Sequence, residues 1–137
     1  MTSDPGALAH FLYRNIATDD CGPHDIRDIL NVARDRNTRL GLTGCLHVED
    51  GFFFQWLEGP AEALTQVIAS LRADWRHRDI VTLSEGGLAG RLFGGWNMNL
   101  TGLKDASIVD WLAAQGVSRR EGRDYSAAIL RFLQEIS

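Results

Sequence analysis

Hydrophobic and polar positions follow two periods along this chain, and each change of period marks a new element. Residues 7–17, ALAHFLYRNIA, are apolar and aromatic over a short run, which predicts a strand. After the polar stretch ATDDCGPHD, Pro23 can open a helix. Ile26, Ile29, Leu30 and Ala33 then recur at helical spacing, with Arg27, Asp28 and Arg34 off that stripe, and Asn37 is expected to end the helix. LTGCLHVED (42–50) predicts a second strand. Asp50-Gly51 signals a tight turn, so GFFFQWLEG should return as a third strand that Gly59-Pro60 closes. Leu64, Val67, Ile68, Leu71 and Trp75 lie on one stripe of a second helix, running from about Ala61 to Trp75. DIVTLSEGGLAGR then predicts a strand with a glycine-rich connection, and GWNMNL (95–100) a last strand. Two further helices are expected, at roughly 105–115 around Ile108, Trp111 and Leu112, and at roughly 123–136 around Ile129, Leu130, Leu133 and Ile136.

The order β-α-β-β-α-β-β is the split βαβ pattern of α+β, ferredoxin-like folds, with two helices on one face of a mixed sheet. The third strand says more about the two faces. Phe53, Gln55 and Leu57 share one side of it, while Phe52, Phe54 and Trp56 share the other. Both sides are apolar, so both faces of the sheet should be covered. The first two helices can cover one face; the C-terminal helices, a second subunit, or some of each should cover the other. Residues 1–102 are therefore expected to form one domain and residues 103–137 a helical extension that caps, oligomerises or transmits.

Some polar side chains sit where an ordinary core would have carbon. Gln55 is in the middle of an aromatic strand, Tyr13 shares a strand face with Phe11, and Trp96 and Met98 share a face of the expected last strand. A buried amide without partners costs about 1–3 kcal/mol, so Gln55 should face water, a protein partner or a ligand. Each residue alone has an ordinary structural reading; their arrangement is more informative. In this topology the first and third strands are central neighbours, so Tyr13 and Gln55 would lie side by side beneath the helices, with Asn37 able to reach the same space. A site between the helices, walled by Ile26, Ile29, Leu30, Leu64, Val67 and Ile68 with polar groups at its floor, suits a planar heterocycle.

Composition narrows the class. The chain has 137 residues, 45% hydrophobic and 23% charged, with a net charge of −4. That suits one folded domain and offers no basic block for nucleic acid. Two cysteines, Cys21 and Cys45, make no disulfide framework or metal motif. The first residues, MTSDPGALAH, lack the basic and apolar regions of a signal peptide, and no apolar run reaches the ~20 residues needed to span a bilayer. A cytoplasmic protein is the expectation.

Several segments together resemble BLUF domains, the flavin-based sensors of blue light: FLYRNIA, DIRDILNVARDRNTRLGLTGCL, GFFFQWLEGP, DWRH at 74–77 and RLFGGWNM at 91–98. They stand in the family's order and spacing across roughly residues 7–100. The resemblance implies FAD, with FMN as the alternative, held non-covalently between the two helices. It assigns Tyr13 as the photoactive tyrosine and Gln55 as the glutamine between that tyrosine and flavin N5. Asn37 would meet the flavin C4 carbonyl and N3, Arg36 the C2 carbonyl edge, and Arg76 and His77 the flavin or its ribityl chain. Ile26 would line the ring. Trp96 and Met98 would be the pair that relays the change at Gln55. Asn15 stands where the family often has serine, and Gly94-Gly95 replaces a commoner polar pair.

The implied function is a non-enzymatic blue-light photoreceptor. Proton-coupled electron transfer from Tyr13 and rearrangement of Gln55 would shift the flavin absorption to the red. With no effector segment in the sequence, the short stand-alone form is expected, signalling to a separate protein or through a homodimer or larger homo-oligomer. Two other readings are a small flavin oxidoreductase and a ferredoxin-like interaction module without cofactor. The first lacks a nicotinamide fingerprint and any nucleophile–base pair; the second leaves Tyr13 and Gln55 without a task.

Overall fold

A computed structural model describes residues 7–17, 22–73, 77–95, 98–117 and 123–137, of which 77–79 are described by their backbone alone. The elements are β1 (Leu8–Ala17), α1 (Pro23–Leu40), β2 (Thr43–Glu49), β3 (Phe52–Pro60), α2 (Ala61–Ala73), β4 (His77–Leu88), β5 (Asn99–Gly102), α3 (Ile108–Ala114) and α4 (Arg123–Ile136). The strands form one mixed sheet in the order β4-β1-β3-β2-β5. All neighbours are antiparallel except β2 and β5, which are parallel. This is the α+β, ferredoxin-like arrangement expected.

Local chemistry sets the main boundaries. The Gly22 N–H donates to Asp25 Oδ2 at 3.0 Å and Pro23 occupies the first turn of α1, so its start is capped and preset. At its other end Gly41 adopts a left-handed φ of 73° and donates to the Asn37 carbonyl. Asn37 therefore does not end the helix, as its residue type suggested; α1 continues one turn to Leu40, and Asn37 is a buried interior position. Asp50 and Gly51 both take positive φ, 52° and 81°, which is the tight turn between β2 and β3.

The alternation in β3 divides the interior into two layers. Phe53 and Leu57 pack with Phe11, Tyr13, Leu30, Leu64 and Val67 under α1 and α2. Phe54 and Trp56 pack with Leu12, Cys45, Ile129, Phe132 and Leu133 under α3 and α4. The second face is thus covered by this chain's own C-terminal helices. α2 ends its described span at Ala73, so Trp75 lies outside the described residues. β4 runs through the glycines to Leu88, and β5 begins only at Asn99, so Met98 precedes the last strand rather than lying in it. No helix among the described residues is long and apolar enough to cross a membrane.

Candidate functional site

Antiparallel pairing brings Tyr13 of β1 and Gln55 of β3 into direct register, and both side chains emerge on the α1–α2 face. Both are buried, Tyr13 at 0% and Gln55 at 3% exposure. The Tyr13 hydroxyl donates to Gln55 Oε1. On its other side Gln55 Nε2 donates to the Met98 thioether at 3.5 Å. The amide is thereby held between a phenol that can donate or accept and a sulfur that only accepts weakly. The Tyr13 ring stacks on Phe11 with centroids 5.1 Å apart.

α1 adds two polar groups above this pair. Asn37 is fully buried on the same helical stripe as Ile29, Leu30 and Ala33. Arg36 is half-buried, and its Nε is enclosed without a hydrogen-bond partner. Burial lowers the Arg36 pKa from its ordinary value; Tyr13 acts in the opposite direction and Arg39 in the same one. Ile26 and Ile68 pack at the margin of this layer. Trp96 and Arg76 lie outside the described residues, as does the His77 side chain; the His77 backbone pairs with Ala17. Among the described residues no cluster of His, Cys, Asp and Glu could hold a metal.

The roles of two residues were not foreseen from the sequence. Arg34, read as a surface charge, donates from Nε to the Met98 carbonyl at 3.0 Å and ties the approach to β5 onto α1. Glu58 is fully buried and accepts from Thr43 Oγ1, Trp56 Nε1, Leu92 N and Phe93 N at 2.8–2.9 Å. It pins the connection that leads toward Met98. The reasoning that singled out Gln55 applies equally to Glu58, a charge on the Phe54–Trp56 side of a strand buried on both faces.

A family model described as BLUF, sensors of blue-light using FAD, matches residues 8–99. The chain belongs to the BLUF family. It is 34% identical over 88 residues to the photoactivated adenylate cyclase subunit beta of Euglena gracilis, a match covering 64% of this chain and 10% of that protein. The chain thus spans only a small part of the curated relatives it matches. Among solved structures it is similar to BlrB, a BLUF protein in its dark state, with TM-score 0.81, 26% identity and coverage of 96% of this chain and 98% of that one. It is also similar to Klebsiella pneumoniae BlrP1 with FMN and cyclic diGMP, with TM-score 0.69, 32% identity and coverage of 90% of this chain and 34% of that one.

The BLUF site can be tested against the flavin its family uses. A flavin ring edge carries two carbonyl acceptors and an N–H donor. Arg36 supplies an enclosed donor with no protein acceptor, and the Asn37 amide supplies both a donor and an acceptor. α1 contributes Ile29, Leu30 and Ala33, and α2 contributes Leu64, Val67 and Leu71, to the apolar layer on this side of the sheet. The polar set and the apolar walls fit a flat heterocycle. A cavity of about 450 Å³ bordered by Phe52, Phe54, Leu112 and Tyr125 belongs to the opposite, α3–α4 face.

Proposed function

We propose that this BLUF protein is a blue-light photoreceptor that holds FAD between α1 and α2, with Tyr13 and Gln55 as its photoactive pair. The observation that carries the reading is the buried chain Tyr13–Gln55–Met98, in which one amide joins a phenol to a thioether. Asn37 and Arg36 are assigned to the carbonyl and imide edge of the ring, Ile26 to its wall, and Arg76 and His77 to the ring or its ribityl chain. FAD is preferred to FMN because the family description names it, although the BlrP1 structure contains FMN.

When bound, the flavin supplies blue-light absorption and an oxidising excited state. Tyr13 is the donor of an electron and a proton, and its hydroxyl hydrogen is already directed at Gln55 Oε1. Losing an electron makes a phenol strongly acidic, so Gln55 is the first station for that proton. Rotation of the amide exchanges its two ends. Its –NH2 then faces the Tyr13 oxygen and its carbonyl faces Met98, which has no hydrogen to donate. The rotated state therefore lacks one hydrogen bond on the sulfur side, and relaxation to the first state is downhill. The electron and the proton return to Tyr13, whose O–H bond re-forms, so the cycle leaves no net change in the bonds of the chain and reverses thermally.

Output is assigned to Trp96 and Met98, the β5 strand and residues 103–137, acting on a separate effector protein or through homo-oligomer formation. The test is optical. Flavin-loaded protein should be yellow, and blue light should shift its absorption to the red without bleaching it, with recovery in darkness. A colourless protein that also refuses added FAD would leave only an interaction module. Bleaching that depends on an added reducing substrate would instead indicate an oxidoreductase.

A further inference from the structure

Glu49, the last residue of β2, is 3% exposed, and its carboxylate gathers donors from two directions. His47 Nε2 lies 2.9 Å from Oε1. From the start of α3 come the Ile108 N–H at 2.6 Å, Ser107 Oγ at 3.0 Å and the Val109 N–H at 3.4 Å. His47 is fully buried, and its other ring nitrogen is 2.8 Å from Thr101 Oγ1 in β5. Its ring also meets Phe132 of α4 edge-on, with centroids 4.9 Å apart. One imidazole therefore touches β5 and α4 directly and α3 through Glu49.

We infer that His47 and Glu49 are positioning residues that couple the state of Gln55 to the start of α3. The inference rests on the reading of Gln55 as the light-switched amide and extends it to the residues that carry the change outward. Thr101 lies three residues beyond Met98, which accepts the Gln55 hydrogen bond. β5 is four residues long, stands at the sheet edge and pairs with β2 alone, with Thr101 in register with His47. A short edge strand held from one side can shift when Met98 gains or loses its amide partner. Hydrogen bonds weaken steeply with misalignment, and no water reaches fully buried His47 to replace a lost partner. The imidazole must follow Thr101 or lose that bond, and either response changes what Glu49 receives. Because three of the Glu49 partners open α3, the helix start shares the outcome. A junction with only a structural task could be filled with carbon; a complete buried polar network is costly unless every member is satisfied.

The test uses the flavin-loaded full chain, with light-minus-dark hydrogen exchange resolved by NMR at the Ile108 and Val109 amides. The chain as it stands should show altered protection there under blue light. Thr101→Val should keep the red shift, while the exchange difference falls about fivefold, the equilibrium worth of one hydrogen bond. Thr101→Ser should restore it, since it returns the hydroxyl. If Thr101→Val does not fold, His47→Gln, which keeps a donor and an acceptor, is measured in its place and should reduce the same difference. A full exchange response in the folded hydroxyl-deleted variant, or a red shift in the unaltered chain with no response at α3, overturns the coupling alone. Absence of the red shift in the unaltered, flavin-loaded chain overturns the reading of Gln55 itself.

Discussion

Tyr13 and Gln55 face one another as register partners on β1 and β3, and the phenol hydroxyl donates to the amide oxygen inside a layer that excludes water. The contact depends on backbone pairing, so its geometry is set by two central strands rather than by a loop. Tyr13→Phe should retain flavin, because the ring and its packing remain, but should abolish the red shift. Gln55→Leu should do the same. Absorption spectra before and during blue illumination check both, and a normal shift in either variant would remove the pair from the mechanism. Tyr13→Phe also strips a buried acceptor of its partner, at a cost of about 1–3 kcal/mol in denaturant unfolding.

Met98→Leu is a near-isosteric change that deletes the acceptor for Gln55 Nε2 at little cost to packing. The red shift should persist and its thermal recovery should change, because the sulfur distinguishes the two amide orientations. Trp96→Ala should likewise spare the primary shift and alter recovery or output. Flash-induced absorbance followed in darkness measures both rates.

Glu58→Gln tests the anchor on the connection before Met98. Each Glu58 oxygen accepts two donors, and only the Thr43 hydroxyl can turn to accept, so an amide in its place sets an –NH2 group against at least one obligate N–H donor. Unfolding in denaturant should show a loss of at least about 1–3 kcal/mol. An unchanged midpoint would mean that the four bonds contribute nothing net.

The pH response of the α3 junction follows from Glu49. Burial by itself would raise its pKa, but the bonds from His47, the Ile108 N–H, Ser107 and the Val109 N–H outweigh burial and hold it below its ordinary 4.5. A carboxyl depressed on folding contributes stability that is fully present above its unfolded value and is lost as pH falls through the folded one. Exchange at the Ile108 and Val109 amides should therefore accelerate as pH drops below about 4.5, after correction for intrinsic rates. Glu49→Gln should remove that pH dependence while leaving the rest of α3 unaffected by acid.

Cys45 should be inert to thiol reagents in the native protein. Burial, the largest cause, pushes its thiol up to about 12, so it carries almost no thiolate near pH 9.0. Peptide mapping after alkylation distinguishes it from Cys21, and rapid native labelling at Cys45 would contradict its enclosure.

Much of this architecture was legible because its signals are local. The alternation of β3 declared two covered faces, the Asp50-Gly51 pair declared the turn, and Gln55 stood out against its aromatic neighbours. Other features depend on partners distant in sequence. Asn37 looked like a helix end, yet α1 stops only where Gly41 supplies a left-handed conformation. The glycines and charge of SEGGL suggested a connection, but β4 is an edge strand, where polar residues are tolerated. Glu49 and Glu58 were not singled out from the sequence. Besides His47 and Trp56 two residues away, their donors come from Ser107–Val109 and from Thr43 and Leu92–Phe93, which no short window brings beside them.

The alternation of β3 has a consequence for how such a sensor changes over generations. Substitutions at positions 53, 55 and 57 alter the layer that would set its colour and photochemistry, while those at 52, 54 and 56 alter the layer that meets the C-terminal helices. The layer beneath α1 and α2 and the layer that meets the C-terminal helices thus lie on opposite sides of one ribbon, interleaved residue by residue. A one-residue insertion in that ribbon would exchange the two layers and disrupt both at once, whereas a substitution that keeps the register reaches one layer directly.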